Sequence, residues 1–118
     1  MRHHNKNRKF GRPTSQRAAL LKSLALSLIK SGRIKTTEAK AKELRPFMEK
    51  LVTRAKVGTL ASKRIIISRL MNRTPESKVL IEEIAPRFKG VAGGYTRVLK
   101  LPPRKSDGAK MALIQFVK

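Results

Sequence analysis

Three pairs of residues have types that could do chemistry. They are His3 with His4, Glu82 with Glu83, and Gly93 with Gly94. Adjacent imidazoles can begin a metal site, adjacent carboxylates can divide acid and base work, and a glycine turn can cradle phosphate. None of the three has the company its chemistry needs. The chain has no Cys, and its first carboxylate is Glu38, far from His3 and His4. Glu82 and Glu83 are neighbours on an expected helix, so they point in different directions and read as a solvated or ion-paired face. Gly93-Gly94 lacks the following lysine and hydroxyl of a phosphate loop and leads into a strand-like run, which makes it a turn. No catalytic constellation, metal site or cofactor is expected, and the chain does not read as an enzyme.

What remains is cationic. Lys and Arg number 29 against 7 Asp and Glu, a formal charge of +22 in 118 residues. Ten of those cations precede Glu38. A chain with this balance repels itself and seeks a polyanion, and nucleic acid is the leading partner. The first cluster is Arg2, Lys6, Arg8, Lys9, Arg12 and Arg17. Arginine matches phosphate with two parallel hydrogen bonds. Asn5, Asn7 and Gly11 let the backbone follow a sugar–phosphate surface closely, and His3 and His4 add polar groups that can donate to phosphate. The bland alternative is a solubilising tail. A second cluster is Arg97, Lys100, Arg104 and Lys105, on a strand and the loop after it, where a merely solvated hairpin tip is the alternative. The cations from Lys40 to Lys56 alternate with Glu38, Glu43 and Glu49, and Glu38–Lys42 and Arg45–Glu49 are spaced for helical pairing.

The elements that must carry these groups follow from pattern. Met1 to Pro13 has only Met1 and Phe10 to bury, too little to offset its ordering entropy, and reads as a basic arm. Thr14 or Ser15 starts a helix whose apolar residues, Leu21 to Ile29, recur at helical spacing, and Leu20 and Leu26 widen the stripe toward full burial. Gly32 ends it. Arg33 to Thr36 alternates as a short strand, and Thr37 caps a second helix through Leu44, Met48, Leu51, Val52 and Ala55 to Gly58, with a kink or break at Pro46. Leu60 to Asn72 reads as a helix despite its Ile65-Ile66-Ile67 run. Thr74-Pro75-Glu76 starts another, with Thr74 as cap, that ends at Pro86. Pro86 to Gly94 is a loop, and Tyr95–Leu101 and Met111–Val117 are strands joined by an exposed basic loop. The order α-β-α-α-α-β-β is an α+β domain with helices packed on a small mixed sheet. Aromatic residues are scarce, so the core must be aliphatic, and base stacking on several rings is not expected. The longest apolar run, Ala18–Ile29, is too short to span a bilayer and lacks a secretory cleavage site, so a cytoplasmic location is the default.

Several long stretches are more specific. They are Met1-Arg2-His3; Arg33-Ile34-Lys35-Thr36-Thr37 followed by Ala39 to Phe47; Glu83-Ile84-Ala85-Pro86-Arg87-Phe88; Gly93-Gly94-Tyr95-Thr96-Arg97-Val98-Leu99-Lys100-Leu101; and Asp107-Gly108-Ala109. In this order and over essentially the whole chain they resemble the bacterial large-subunit ribosomal protein seventeen family. The resemblance implies a two-layer fold and a structural role in the large ribosomal subunit. It implies large-subunit ribosomal RNA and neighbouring ribosomal proteins as partners, with no membrane and no small-molecule substrate. Arg2, His3, Arg12 and Arg17 carry over as RNA contacts, and Tyr95, Thr96 and Arg97 as a motif. His4 and Pro13 depart from the family pattern.

The expectation is therefore an RNA-binding arm over residues 1–13 and one α+β domain over 14–118. Arg2, His3, His4, Lys6, Arg8, Lys9, Arg12, Arg17, Arg97, Arg104 and Lys105 are the expected RNA contacts. A DNA-architectural protein would bring a groove-reading helix or an apolar wedge, and an RNA-modifying enzyme a cofactor loop or acid/base pair. Neither set of features is present in the sequence.

Overall fold

A computed structural model describes residues 14–118. The expected arm, Met1 to Pro13, lies outside the described residues. Helix α1 spans Thr14–Ser31, β1 Arg33–Thr37, α2 Glu38–Val57, α3 Leu60–Arg69 and α4 Thr74–Val79. A π-helical turn, Leu80–Ile84, and a 3₁₀ turn, Ala85–Phe88, continue directly from α4. Strands β2, Thr96–Leu101, and β3, Met111–Phe116, follow. The α+β class and the element order are those expected.

The sheet departs from expectation in one respect. It is antiparallel throughout, not mixed, with strand order β1-β3-β2. The last strand pairs with both others because β1 and β2 run in the same direction, and β3 inserted between them opposes each.

Helix α2 is the spine. The hydroxyl of Thr37 accepts a 3.4 Å hydrogen bond from the Lys40 N–H, satisfying one orphan donor of the first turn. Gly58, with φ +76°, supplies the left-handed residue that stops the helix. Pro46 does not break it: α2 is continuous from Glu38 to Val57, with Pro46 inside and exposed on its surface. Ala41, Leu44, Met48, Leu51, Val52 and Ala55 are its buried stripe. Burial of each large member contributes about 2 kcal/mol. The stripe meets Ile66 of α3, Leu80 and Ile84 of the π turn, Phe88, and Ala112 and Ile114 of β3 in one core.

The strand bounds shift by one residue each, and three helical boundaries differ from the pattern reading. Helix α3 stops at Arg69, because Leu70 turns wholly into the core and Met71 and Asn72 adopt left-handed backbone, φ 56° and 58°, reversing the chain. The cap of α4 is Arg73 rather than Thr74: the Arg73 carbonyl already accepts from the Ser77 N–H at 3.1 Å and the Ser77 hydroxyl at 2.8 Å. Pro86 does not end the helical run but reshapes it. Proline has no N–H and its ring crowds the carbonyl four residues back, so the preceding turn widens and Ala85 N–H reaches Leu80 O. The helical path then tightens into the 3₁₀ turn and delivers Phe88 to the core.

Helix α1 is less covered than its apolar stripe implies. Ala25, Leu26, Leu28 and Ile29 are buried, whereas Leu20, Leu21 and Leu24 are half-buried and Ala18 and Ala19 exposed. Only its C-terminal half sits deep in the body. Lys30 there reaches Glu76 at 3.5 Å, and Arg73 approaches the same carboxylate at 3.7 Å.

Candidate nucleic-acid interface

Strand alternation sorts the sheet residues onto two faces. Ile34, Ile114 and Val98 share one cross-strand row and face the helices, and Thr96 and Phe116 lie on the same side. The opposite face carries the row Arg33–Gln115–Arg97, then Lys35–Leu113–Leu99, then Thr37–Met111–Leu101. Arg33, Lys35, Arg97 and Leu99 are exposed, Gln115 and Leu113 half-buried. No residue in these three rows is acidic. Adjacent strands place the backbones of Arg33 and Arg97 roughly 10 Å apart with the Gln115 amide between them. Among the described residues no carboxylate is ion-paired with Arg33, Lys35 or Arg97. Met111 is buried and its row neighbours half-buried, so the exposed part of this face is the end with two guanidiniums, an ammonium and an amide bordering aliphatic side chains. That chemistry suits a polyanion with polar edges.

The Tyr95-Thr96-Arg97 run divides its labour. Tyr95 is buried, with its ring edge-on to Phe88 at 5.1 Å. Its hydroxyl accepts from Lys56 Nζ at 3.1 Å and Thr53 Oγ1 at 3.4 Å and donates to Val91 O at 3.3 Å. Lys56 also donates to Val91 O and lies 4.9 Å from the Tyr95 ring centroid. The hydrogen bond from Thr53, with that from Lys56, holds the Tyr95 phenol below its ordinary range. Thr96 is clamped from below by Glu49, whose Oε2 accepts both its N–H and its hydroxyl. With two residues anchored inward, alternation leaves Arg97 facing out.

The second expected cluster does not come together as one patch. Arg97 stands near the start of β2, about 13 Å of strand before Leu101, where the basic loop begins. Lys100 points to the opposite side of the sheet from Arg97; the Lys42 hydrogen bond above all, and in smaller part the charge of Lys100, lower the Glu38 carboxyl. Arg104 grips Asp107 with a fork, Nε–Oδ1 at 3.0 Å and Nη2–Oδ2 at 2.8 Å. Asp107 Oδ1 also accepts the Ala109 N–H at 3.1 Å. The fork first, and this backbone bond second, hold the Asp107 carboxyl at about 2. Arg104 thus organises its own loop, and exposed Lys105 projects from it. Arg17 is half-buried near the start of α1. Arg2, His3, His4, Lys6, Arg8, Lys9 and Arg12 lie outside the described residues.

Arg33 and Lys35 are the functional candidates that pattern reading passed over. They read as the outward positions of β1, but a lone strand gives no neighbour. Only the pairing of β1 with β3 places Arg33 in a row with Arg97.

Of the helical cations, Lys42 pairs with Glu38 at 2.7 Å and Arg45 with Glu49 at 3.7 Å, as their spacing predicts. Among the described residues there is no cluster of His, Cys, Asp and Glu that could hold a metal, and no helix is long and apolar enough to cross a membrane.

Residues 20–117 match the family model described as ribosomal protein L17. A protein of Gemmatimonas aurantiaca named large ribosomal subunit protein bL17 is 51% identical over 117 residues, covering 99% of this chain and 98% of its own. A protein of the same name from Persephonella marina is 52% identical over 118 residues, covering 99% and 95%. One from Campylobacter jejuni subsp. doylei is 49% identical over 117 residues, covering 99% of each.

Proposed function

The chain belongs to the ribosomal protein L17 family, and from that premise we propose that it is a structural component of the large ribosomal subunit that binds and stabilises large-subunit ribosomal RNA. Members of a ribosomal protein family are structural parts of the particle, not enzymes. The observation that carries the RNA reading is the acid-free open sheet face with its Arg33–Gln115–Arg97 row. Two guanidiniums about 10 Å apart can each fork onto a phosphate of crowded strands. The Gln115 amide between them can both donate to and accept from a 2′-hydroxyl or a base edge. Leu99 and Leu113 fit the less polar sugar surface.

Arg2, His3, His4, Lys6, Arg8, Lys9, Arg12 and Arg17 extend the contact from the other end of the chain, and Lys105 adds to it from the loop. The cations of the arm neutralise phosphates where RNA helices crowd together. Recognition is chiefly of backbone and shape, since A-form helices present phosphates and 2′-hydroxyls more readily than base edges. The protein works in the ribosome, in the cytoplasm, beside other large-subunit proteins. Equilibrium binding of the full chain to large-subunit ribosomal RNA and to duplex DNA of equal length, at matched salt, tests the reading. A clear preference for the folded RNA is expected, and equal affinity overturns it.

A further inference from the structure

The C-terminal end of α2, helix α3 and the π and 3₁₀ turns surround an open groove of about 520 Å³. Its floor is apolar, from Ala55, Ile81, Ala85 and Pro86, and Lys63 and Lys89 stand on its rim. A second hollow of about 230 Å³ between α3 and α4 shares Lys63 and Ile81 and adds Lys78 and one carboxylate, Glu82. Gly58 also lines the groove, and Val57 and Leu60, one and two residues to either side of it, are 61% and 63% exposed, the largest exposures of bulky apolar side chains among the described residues. Neither Lys63 nor Lys89 is ion-paired among the described residues.

This surface differs in kind from the open sheet face. RNA gains little from an aliphatic floor: its bases stack on aromatic rings or guanidinium planes, and the groove is lined by neither. An aliphatic or aromatic side chain of another protein gains from just such a floor and lip, and an exposed apolar patch rimmed by charge marks a protein contact. The lysine rim selects the flanks, because carboxylates on either side of that side chain would meet Lys63 and Lys89.

We propose that this groove docks a segment of a neighbouring large-subunit protein carrying an apolar anchor between acidic residues. The proposal rests on the ribosomal reading above and locates the protein contact that reading implies. The test puts a benzophenone amino acid at position 60, a site exposed enough to tolerate it, and assembles the full chain into large subunits before irradiation. The expected result is an adduct with one protein, mapped by mass spectrometry to a segment in which Asp or Glu flanks an apolar residue. The yield should fall about fivefold or more with Lys63→Glu and Lys89→Glu together, while incorporation into particles is unchanged. An adduct with ribosomal RNA, an adduct with a segment lacking carboxylates, or no adduct from particles that contain the chain each overturn the docking proposal. A chain that does not enter particles at all overturns the ribosomal reading instead, and the docking proposal falls with it.

Discussion

Glu49 and Thr96, 47 positions apart, meet at a single oxygen: Glu49 Oε2 accepts the Thr96 N–H at 3.2 Å and the Thr96 hydroxyl at 3.0 Å. This joint ties the first residue of β2 to the middle of α2 and fixes which way Arg97 faces. Replacing Glu49 with Leu leaves the buried Thr96 with two unmet groups, each costing about 1 kcal/mol or more. A loss of about 2 kcal/mol in urea unfolding is expected for Glu49→Leu and a smaller loss for Glu49→Gln, which keeps an acceptor. Equal stability of Glu49→Leu and the parent chain would show the joint to be energetically idle.

The open face predicts a separation of stability from binding. Arg33→Ala and Arg97→Ala remove exposed side chains, so each should change stability by less than about 0.5 kcal/mol. Each should weaken binding to large-subunit RNA about tenfold, the scale of one charge-assisted hydrogen bond, and lower the salt slope by about one. RNA titrations at several salt concentrations check both numbers.

Deleting Met1 to Arg12 removes five cations and almost no apolar surface. The body should unfold at nearly the same denaturant concentration. RNA binding should weaken, and its salt slope should flatten by up to about four. A truncated chain that melts yet keeps its RNA affinity would contradict the division into arm and body.

Tyr95 is expected to matter for the body and not for RNA. Tyr95→Phe loses the bonds to Thr53, Lys56 and Val91, and should cost about 1 kcal/mol while leaving RNA affinity unchanged. Because the chain has one Tyr and no Trp, ultraviolet titration isolates this phenol. Its midpoint should fall below 10 and rise again in Lys56→Met. The native state gives up this proton before the unfolded chain does, so the group adds stability as pH climbs through the native midpoint.

The Arg104–Asp107 fork predicts acid behaviour. The folded carboxyl titrates near 2 and the free one near 3.8. The folded state thus binds its proton later, and the stabilisation is fully present above pH 4 and is lost as pH falls from there through about 2. Carbon-detected NMR titration of Asp107 should show this low midpoint, and Arg104→Gln should return it toward 3.8.

Local signals in the sequence carried much of this fold. Thr37 before an apolar-periodic run, Gly58 after it and Pro75 in a first turn each act within a few residues, so each was legible. The misjudged boundaries depend on distant partners. Leu70 leaves the helix because the core has a place for it, and the run persists past Pro86 because Phe88 must reach that core. Pro46 leaves α2 unbroken on its exposed side, where the Lys42 carbonyl it cannot serve can meet water, a placement no single residue reveals. The candidate face was legible by half: Arg97 stood out in a basic cluster, whereas Arg33 became visible only through its row with Gln115. Arg104 was detached by its fork to Asp107, a carboxylate three residues on that stood in plain view.

Strand order has a temporal meaning. The strand translated last lies in the centre, and β1 and β2 have no ladder without it. On a translating ribosome β1 waits on the order of ten seconds for its partner at ordinary synthesis rates. During that wait Arg33 and Lys35 discourage wrong pairing of its bare edges, as charges on edge strands do. The cationic row therefore exists only in a chain whose C-terminal strand has emerged. Prematurely released fragments would lack this face, so assembly could discriminate against them without a dedicated inspector.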